Sequence, residues 1–390
     1  MKRGLTGRFE TITTAGEPVR AFVPHALPPA PPIDLSGERQ KRLADAMLAC
    51  GRLDGVSSLL PDPDLFLYAY VRREAVLSSQ IEGTQSSLSD LLLFELDEAP
   101  GVPIDDVAEV SSYVTALEHG MTRLREGLPI SSRLLREVHG KLLSGGRGAD
   151  KEPGEFRRSQ NWIGGTRPGN AHFVPPPAPL VADCMADLER YIHAGDRSPV
   201  LIRAALAHVQ FETIHPFLDG NGRVGRLMIS LILHDSKALR QPLLYLSLYF
   251  KQHRDEYYRL LDVVRRDGDW EAWLEFFLEG VSLTASAAVE TAHRLLALFS
   301  EDERRLVRIN RRATSLTRVY GALRARPVTT IPDLCKRASV TYPTAAKAMA
   351  TMQSIGIARE VTRAMRNRVF AYDRYLAILS EGTQPLGTGR

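Results

Sequence analysis

His215-Pro216-Phe217-Leu218-Asp219-Gly220-Asn221-Gly222-Arg223-Val224-Gly225-Arg226 decides how the chain is read. These twelve residues hold an imidazole, a carboxylate, an amide, three glycines and two guanidinium groups, more chemistry than a connecting loop needs. Ahead of them, Pro199 to Ile214 carry Leu201, Ile202, Ala205, Val209 and Phe211 near a 3.6-residue period, which predicts a helix that ends at His215 and is stopped by Pro216. From Arg223 the period resumes through Leu227, Met228, Ile229, Leu231, Ile232 and Leu233, so a second helix starts as the glycines end. Gly220 and Gly222 are expected at positive φ, where they make a backbone nest, and the free N–H groups of the second helix point back into it. Such a place suits phosphate, and Arg223 and Arg226 add charge for bidentate contacts. Asp219 suits a phosphate-bound magnesium ion, which needs few protein carboxylates. His215, a side chain with an ordinary pKa of about 6.5, can take a proton from an incoming hydroxyl.

This stretch resembles the signature of the Fic family, His-x-Phe-x-Asp/Glu-Gly-Asn-Gly-Arg-x-x-Arg, at each specified position. The resemblance implies a mainly α fold, with a helical Fic core and a β-hairpin flap. It implies transfer of AMP from ATP to a Ser, Thr or Tyr hydroxyl of another protein or of the protein itself. His215 would be the general base, Asp219 the Mg2+ ligand and Asn221 an amide that orients phosphate. Gly220 and Gly222 would form the anion nest, with Arg223 and Arg226 on the nucleotide phosphates. Related Fic proteins move phosphocholine, UMP or phosphate, so another transferred group, or removal of AMP, stays open.

A helical zone beginning at Ser36 or Gly37 carries Leu43, Met47, Leu48, Leu67, Tyr68, Tyr70 and Val71 at helical spacing and ends in Ser78-Ser79-Gln80-Ile81-Glu82-Gly83. Ser78 and Glu82 lie one turn apart on one face, and Gly83 suits the left-handed position just past the helix end. The segment resembles the inhibitory motif of many Fic proteins, Ser/Thr-x-x-x-Glu-Gly/Asn. That resemblance implies that Glu82 pairs with Arg226 and takes the charge that should hold the γ-phosphate. A homodimer is open, and with it inhibition in cis or in trans.

Asn161-Trp162-Ile163 and Ala171-His172-Phe173-Val174 are two short β-like runs around a glycine-rich turn, a hairpin signal. They resemble the Fic flap, whose edge holds the target segment by strand addition, which positions without specifying sequence.

At 390 residues the chain is long enough for two or three domains, and its 44% hydrophobic and 25% charged residues are ordinary for a globular protein. No uninterrupted apolar run approaches a membrane span, and Arg8, Glu10 and Thr11 stand where a secretory signal would be apolar, so a cytoplasmic location without a membrane partner is expected. Cys50, Cys184 and Cys335 are odd in number and far apart, fitting neither a disulfide framework nor a zinc site. His119 and His139 belong to no cluster of metal ligands, and His208, which lacks an evident third ligand beside His215, is expected to be packed or capping.

The expected domains are 1–105, an N-terminal arm and helical region with the inhibitory helix; 106–285, the core; 286–312, a helical linker; 313–380, a winged-helix-like domain; and 381–390, a disordered tail. The arm is read as extended because Pro24, Pro28, Pro29, Pro31 and Pro32 forbid a helix. Helices are expected at Val107 to Leu124 and Ile130 to Leu143, the latter capped by Ser131 or Ser132. Residues 301–390 carry 17 Lys and Arg against 7 Asp and Glu, a net +10 in a chain of net +4. Helices at Ser315 to Arg324, Ile331 to Ala338 and from Thr341, then alternating runs Ile357 to Thr362 and Val369 to Tyr372 around a basic turn with Arg363, Arg366 and Arg368, resemble a winged helix. DNA and a docking protein are both open as its partner. Two function classes follow: an adenylyltransferase, or a DNA-binding regulator whose Fic core senses nucleotide. The intact His215 favours the first.

Overall fold

The computed structural model describes residues 1–59, 63–96, 103–146, 148–194, 198–309, 314–362 and 368–385. The chain opens with an antiparallel hairpin, β1 (Gly7–Thr14) and β2 (Glu17–Pro24), in full register from Gly7 opposite Pro24 to Thr14 opposite Glu17. An extended arm was expected here, because the prolines from Pro24 onward dominated the reading. The residues before them alternate in burial along β1, and the turn Ala15-Gly16 takes positive φ at both positions, the two-residue turn that matches strand twist.

Helices α1 (Glu38–Leu59), α2 (Pro63–Ile81), α3 (Leu88–Phe94), α4 (Ile104–Arg125), α5 (Ser132–Leu142), α6 (Val181–His193), α7 (Val200–Ile214), α8 (Asn221–Asp235), α9 (Ser247–Gln252), α10 (Arg254–Asp267) and α11 (Trp270–Ile309) follow. The fold is mainly α, with small sheets. Ser131 caps α5 by accepting from the Leu134 N–H at 3.3 Å. Helices α7 and α8 sit at the centre, because their sequences are apolar or small on almost every face and a helix of that kind must be buried all round. α2, α4 and α5 pack on one side of them and α10 and α11 on the other. Helix α11 is long and apolar enough to cross a membrane by length and composition alone. Its apolar side is packed in the core through Trp273, Leu274, Phe277, Leu278 and Val281. It runs unbroken through position 285, where the core was expected to give way to a linker.

The last part comprises α12 (Thr314–Ala325), β3 (Val328–Thr330), α13 (Ile331–Ala338), α14 (Tyr342–Ser354), β4 (Arg359–Glu360), β5 (Val369–Ala371) and α15 (Asp373–Leu379). Its sheet is antiparallel in the order β3-β5-β4. The three expected helices lie where periodicity put them, whereas β3 and α15 went unread because each is short. Arg363 and Arg366 lie outside the described residues. Arg368 pairs with Glu360 at 2.5 Å, and Arg337, Arg359 and Arg374 are likewise held by Asp333, Asp373 and Glu301, acids already counted in the net +10 of this part.

Residues 381–385, expected to be disordered, are docked on α2; residues 386–390 lie outside the described residues. The Thr383 carbonyl accepts from Gln80 Nε2 at 2.8 Å and the Glu381 carbonyl from Arg73 Nη2 at 2.8 Å. Lys251 Nζ donates to Gln80 Oε1 at 2.6 Å and to the carbonyls of Gly382 and Gln384. The cause is the supply of buried donors on α2 and α9, which a tail backbone satisfies as well as water would. Truncation after Leu379 is expected to raise amide hydrogen exchange at residues 79–84 by about tenfold, since the Gln80 side chain that braces this turn loses a partner worth about 1.5 kcal/mol. Unchanged exchange there would show that the tail does not brace α2.

Candidate active site

His215 terminates α7 in the left-handed region at φ 50°, an unusual place for a residue with a Cβ. The chain is held in that conformation from outside. Arg157 donates Nε to the His215 carbonyl at 2.9 Å, its backbone N–H to the Pro216 carbonyl at 2.9 Å and Nη2 to the Pro176 carbonyl at 2.5 Å. Arg157 is buried, and its role is invisible in sequence, because it acts across 58 positions. Burial, followed by the charges of Arg265 and Arg157, pushes the His215 imidazole down to about 3, so it is neutral and able to accept a proton at physiological pH.

The loop after His215 turns on Phe217, which is 0% exposed and contributes roughly 1.5–3 kcal/mol by its burial. Asn221 closes it: Oδ1 accepts from the Phe217 N–H at 2.9 Å and Nδ2 donates to the Phe217 carbonyl at 2.8 Å. Asn221 was expected to orient phosphate; here both of its polar atoms are spent on shaping the loop. His139 supports the loop from below, stacked on Phe217 at 3.7 Å between ring centres, with Nε2 against the Asp219 carbonyl at 3.1 Å and Nδ1 accepting from the Gly154 N–H at 2.9 Å. Gly220 precedes α8 at φ 74°, as the nest requires. Gly222 does not have positive φ, which corrects the sequence reading. It lies in the first turn of α8, and a Cβ there would come within 2.3 Å of Glu82 Oε1. Gly225 is likewise clearance, for the buried Glu212 carboxylate.

Arg226 is almost fully buried and faces the end of α2. Its Nε donates to Ser78 Oγ at 2.9 Å, and Nη2 donates to the Ser78 carbonyl at 2.9 Å and to Glu82 Oε1 at 2.7 Å. Gly83 follows at φ 105°, which lets the chain leave α2 immediately after the carboxylate. Burial alone would push the Glu82 carboxyl up, but the Arg226 guanidinium outweighs it and holds the carboxyl below its ordinary range. Arg223 was expected on nucleotide phosphates. It is 1% exposed and paired with Glu109 of α4 at 2.8 Å, with Asp219 at 3.6 Å, so in this structure it fastens α8 to α4. Asp219 is partly exposed, with Oδ1 accepting from the Gly220 N–H at 2.6 Å. Among the described residues no group of three or more His, Cys, Asp or Glu is placed to hold a metal ion. A single open carboxylate beside the nest fits magnesium that arrives with a phosphate ligand.

The flap is less regular than expected. Instead of two strands there is one bridge, Ile163 to Phe173, with N–H to carbonyl distances of 2.8 and 3.1 Å. Asn161 is tied to the loop by Nδ2 to the Phe217 carbonyl at 2.9 Å, and Asn170 Oδ1 closes the turn by accepting from the N–H groups of Thr166 and Arg167. Trp162 and His172 are exposed, Ala171 is half-buried and Phe173 is buried against Phe22 of β2. His208 Nε2 meets Tyr257 Oη at 2.8 Å inside an aromatic cluster.

Glu74 of α2 is buried behind this site, with Oε1 accepting from Ser247 Oγ at 2.5 Å, and burial pushes its carboxyl up to about 7. A carboxyl raised from an unfolded value near 4.5 loses stability as pH climbs between those values, because the unfolded chain ionises first. Glu74→Gln is therefore expected to raise stability at pH 8 by on the order of 2–3 kcal/mol and to be nearly neutral at pH 5. Denaturant unfolding at the two pH values checks this.

The loop, the nest and the clamped arginine define a class. Residues 40–122 match the family model described as Fic/DOC family N-terminal, and residues 129–233 match that of the Fic/DOC family. The chain carries both domains. It is 32% identical over 182 residues to protein adenylyltransferase Fic of Drosophila ananassae, covering 46% of this chain and 33% of that one. The Drosophila melanogaster protein of the same name matches at 32% over 182 residues, with 34% of its length covered. The chain thus spans about a third of the length of these curated relatives. A Fic family protein from Desulfovibrio desulfuricans G20 shares the fold at TM-score 0.57 and 20% identity, over 92% of this chain and 99% of that one. A Fic domain containing signaling protein from Bacteroides thetaiotaomicron VPI-5482 does so at TM-score 0.52 and 18% identity, over 64% of this chain and 97% of that one.

Proposed function

We propose that the protein is a protein adenylyltransferase that moves AMP from ATP to a Ser, Thr or Tyr hydroxyl, on another protein or on itself, and that Glu82 holds it back. The observation that carries this reading is the His215–Arg226 loop, which puts a neutral imidazole at one end of a phosphate nest and a buried guanidinium at the other. Triphosphate bound in the nest takes hydrogen bonds from the N–H groups that open α8. Its negative charge offsets Arg265 and Arg157 and raises the His215 pKa toward a useful range for a base. His215 then takes the hydroxyl proton as the hydroxyl oxygen bonds the α-phosphorus. The bond from that phosphorus to the bridging oxygen breaks, and pyrophosphate leaves. Magnesium, held at Asp219, would supply charge neutralisation on the phosphates. Arg226 stabilises the γ-phosphate once Glu82 releases it. The flap, with Asn161, Trp162, Ile163, Ala171, His172 and Phe173, holds the target strand by its edge.

The test is to give the Glu82→Gly protein ATP labelled at the α or at the γ phosphate, with magnesium. Protein-bound label from α-ATP alone is expected; label from γ-ATP would mean phosphate transfer and overturn the reading.

The C-terminal part is read as a winged helix whose α14 exposes Tyr342 and Lys347, with Thr344 half-buried. Its net +10 over residues 301–390 already counts the acids that pair with Arg337, Arg359, Arg368 and Arg374, so DNA and a docking protein both stay open as its partner.

A further inference from the structure

A cavity of about 350 Å³ opens where the flap meets the N-terminal hairpin and α10. Phe22 and Phe173 form its apolar wall, Arg20 and Arg266 stand exposed among its lining residues, and Arg265 is buried in it. Arg265 is 6% exposed, and its guanidinium lies 4.1 Å from the centre of the Phe173 ring. It donates Nε to Thr213 Oγ1 at 3.2 Å and Nη2 to the Glu212 carbonyl at 3.3 Å, both in the last turn of α7. Among the described residues no carboxylate forms an ion pair with it. Asp262, the acid of the cavity, is held by Arg266 at 2.8 Å and faces His172 at 3.9 Å. The hydrogen bonds of Arg265 go to neutral oxygens, and although the charges of Glu212 and Asp262 act on it from a distance, burial outweighs them and pushes it down to about 10. With Arg20 and Arg266 against Asp262, the cavity remains net positive and lacks an anion.

We propose that this cavity is a subsite for an Asp or Glu side chain of the target segment, two residues from the hydroxyl that is modified. The proposal rests on the reading of the flap as the docking edge. Side chains on one face of an added strand recur every two residues, roughly 7 Å apart. Arg265 holds the last turn of α7 through Thr213 and the Glu212 carbonyl, and its charge acts on the His215 imidazole just beyond, so a hydroxyl directed at His215 leaves its same-face neighbour near Arg265. The aromatic walls exclude water and strengthen a carboxylate–guanidinium contact.

The experiment measures binding of fluorescent peptides to the full chain carrying Glu82→Gly. Each peptide has a central Thr and either Glu or Gln two residues before or after it. The Glu form of one of the two placements is expected to bind at least about tenfold more tightly than its Gln form, less so at high salt, and not to be displaced by magnesium and ATP. Arg265→Gln should abolish the preference and Arg265→Lys restore part of it. If Arg265→Gln does not fold, Arg20→Gln with Arg266→Gln should lower the preference severalfold. Equal binding of Glu and Gln forms, no binding by any peptide, a preference untouched by these variants, or displacement by ATP would each overturn the subsite. Transfer from α-labelled ATP is followed on the same peptides. Acid preference in binding without transfer would contradict the adenylyltransferase reading and leave the subsite standing, whereas transfer without acid preference would do the reverse.

Discussion

Glu82→Gly raises AMP transfer by about 10- to 100-fold over the unaltered protein. The estimate follows from the contact that is lost. The buried Arg226 donates to the partly exposed Glu82 carboxylate at 2.7 Å, and a charge-assisted hydrogen bond of this kind is worth about 1.5–3 kcal/mol, each 1.36 kcal/mol being tenfold in rate. The two Ser78 contacts remain, so Arg226 stays oriented while its charge becomes available to the γ-phosphate. The position of Gly222 sharpens the case. The Glu82 carboxylate fills the space a Cβ would need there, within the first turn of α8, and that space empties in the variant. Glu82→Gln removes the charge but keeps the bulk, so its activation should be smaller. Initial rates of label incorporation at saturating ATP check both, and equal rates for Glu82→Gly and the unaltered protein would remove the inhibitory role.

His215→Ala, placed in the Glu82→Gly background, lowers transfer by about 10² to 10⁴-fold, the usual contribution of a positioned base. Nucleotide affinity should change little, because the nest, Asn221 and Arg226 are held by contacts that do not involve the imidazole. The backbone carries a second expectation. The left-handed φ of residue 215 is imposed by Arg157 through the carbonyls of residues 215 and 216, and alanine tolerates φ 50° at a cost of roughly 1–2 kcal/mol. A variant that retains most of its transfer would show that another group takes the proton.

The catalytic stretch was legible because its chemistry is contiguous: a base, a carboxylate and two arginines within one turn of chain and one of helix. Glu82 was legible by its spacing from Ser78 and its resemblance to a known inhibitory segment, and the structure brings it to Arg226 across 144 positions. The groups that hold the stretch in shape were not legible. Arg157, His139 and Glu109 act from 58, 80 and 114 positions away, on backbone carbonyls or a buried guanidinium, and nothing local marks them. The resemblance gave both arginines of the loop the nucleotide phosphates, and spacing alone does not show that Arg223 also pairs with Glu109 of α4. Gly222 was read as backbone freedom when its need is space. The hairpin at residues 7–24 did announce itself, by alternation around Ala15-Gly16, and was obscured by the prolines that follow. The docked tail had no signature, because its contacts run through main-chain carbonyls that any sequence supplies.

The measurement that bears most directly on the account is the intact mass of three purified proteins, unaltered, Glu82→Gly, and Glu82→Gly with His215→Ala, after incubation with magnesium and ATP. An adduct of one AMP that is scarce in the first, abundant in the second and absent in the third is the predicted result. An adduct that is equally abundant in all three would contradict both the base and the clamp.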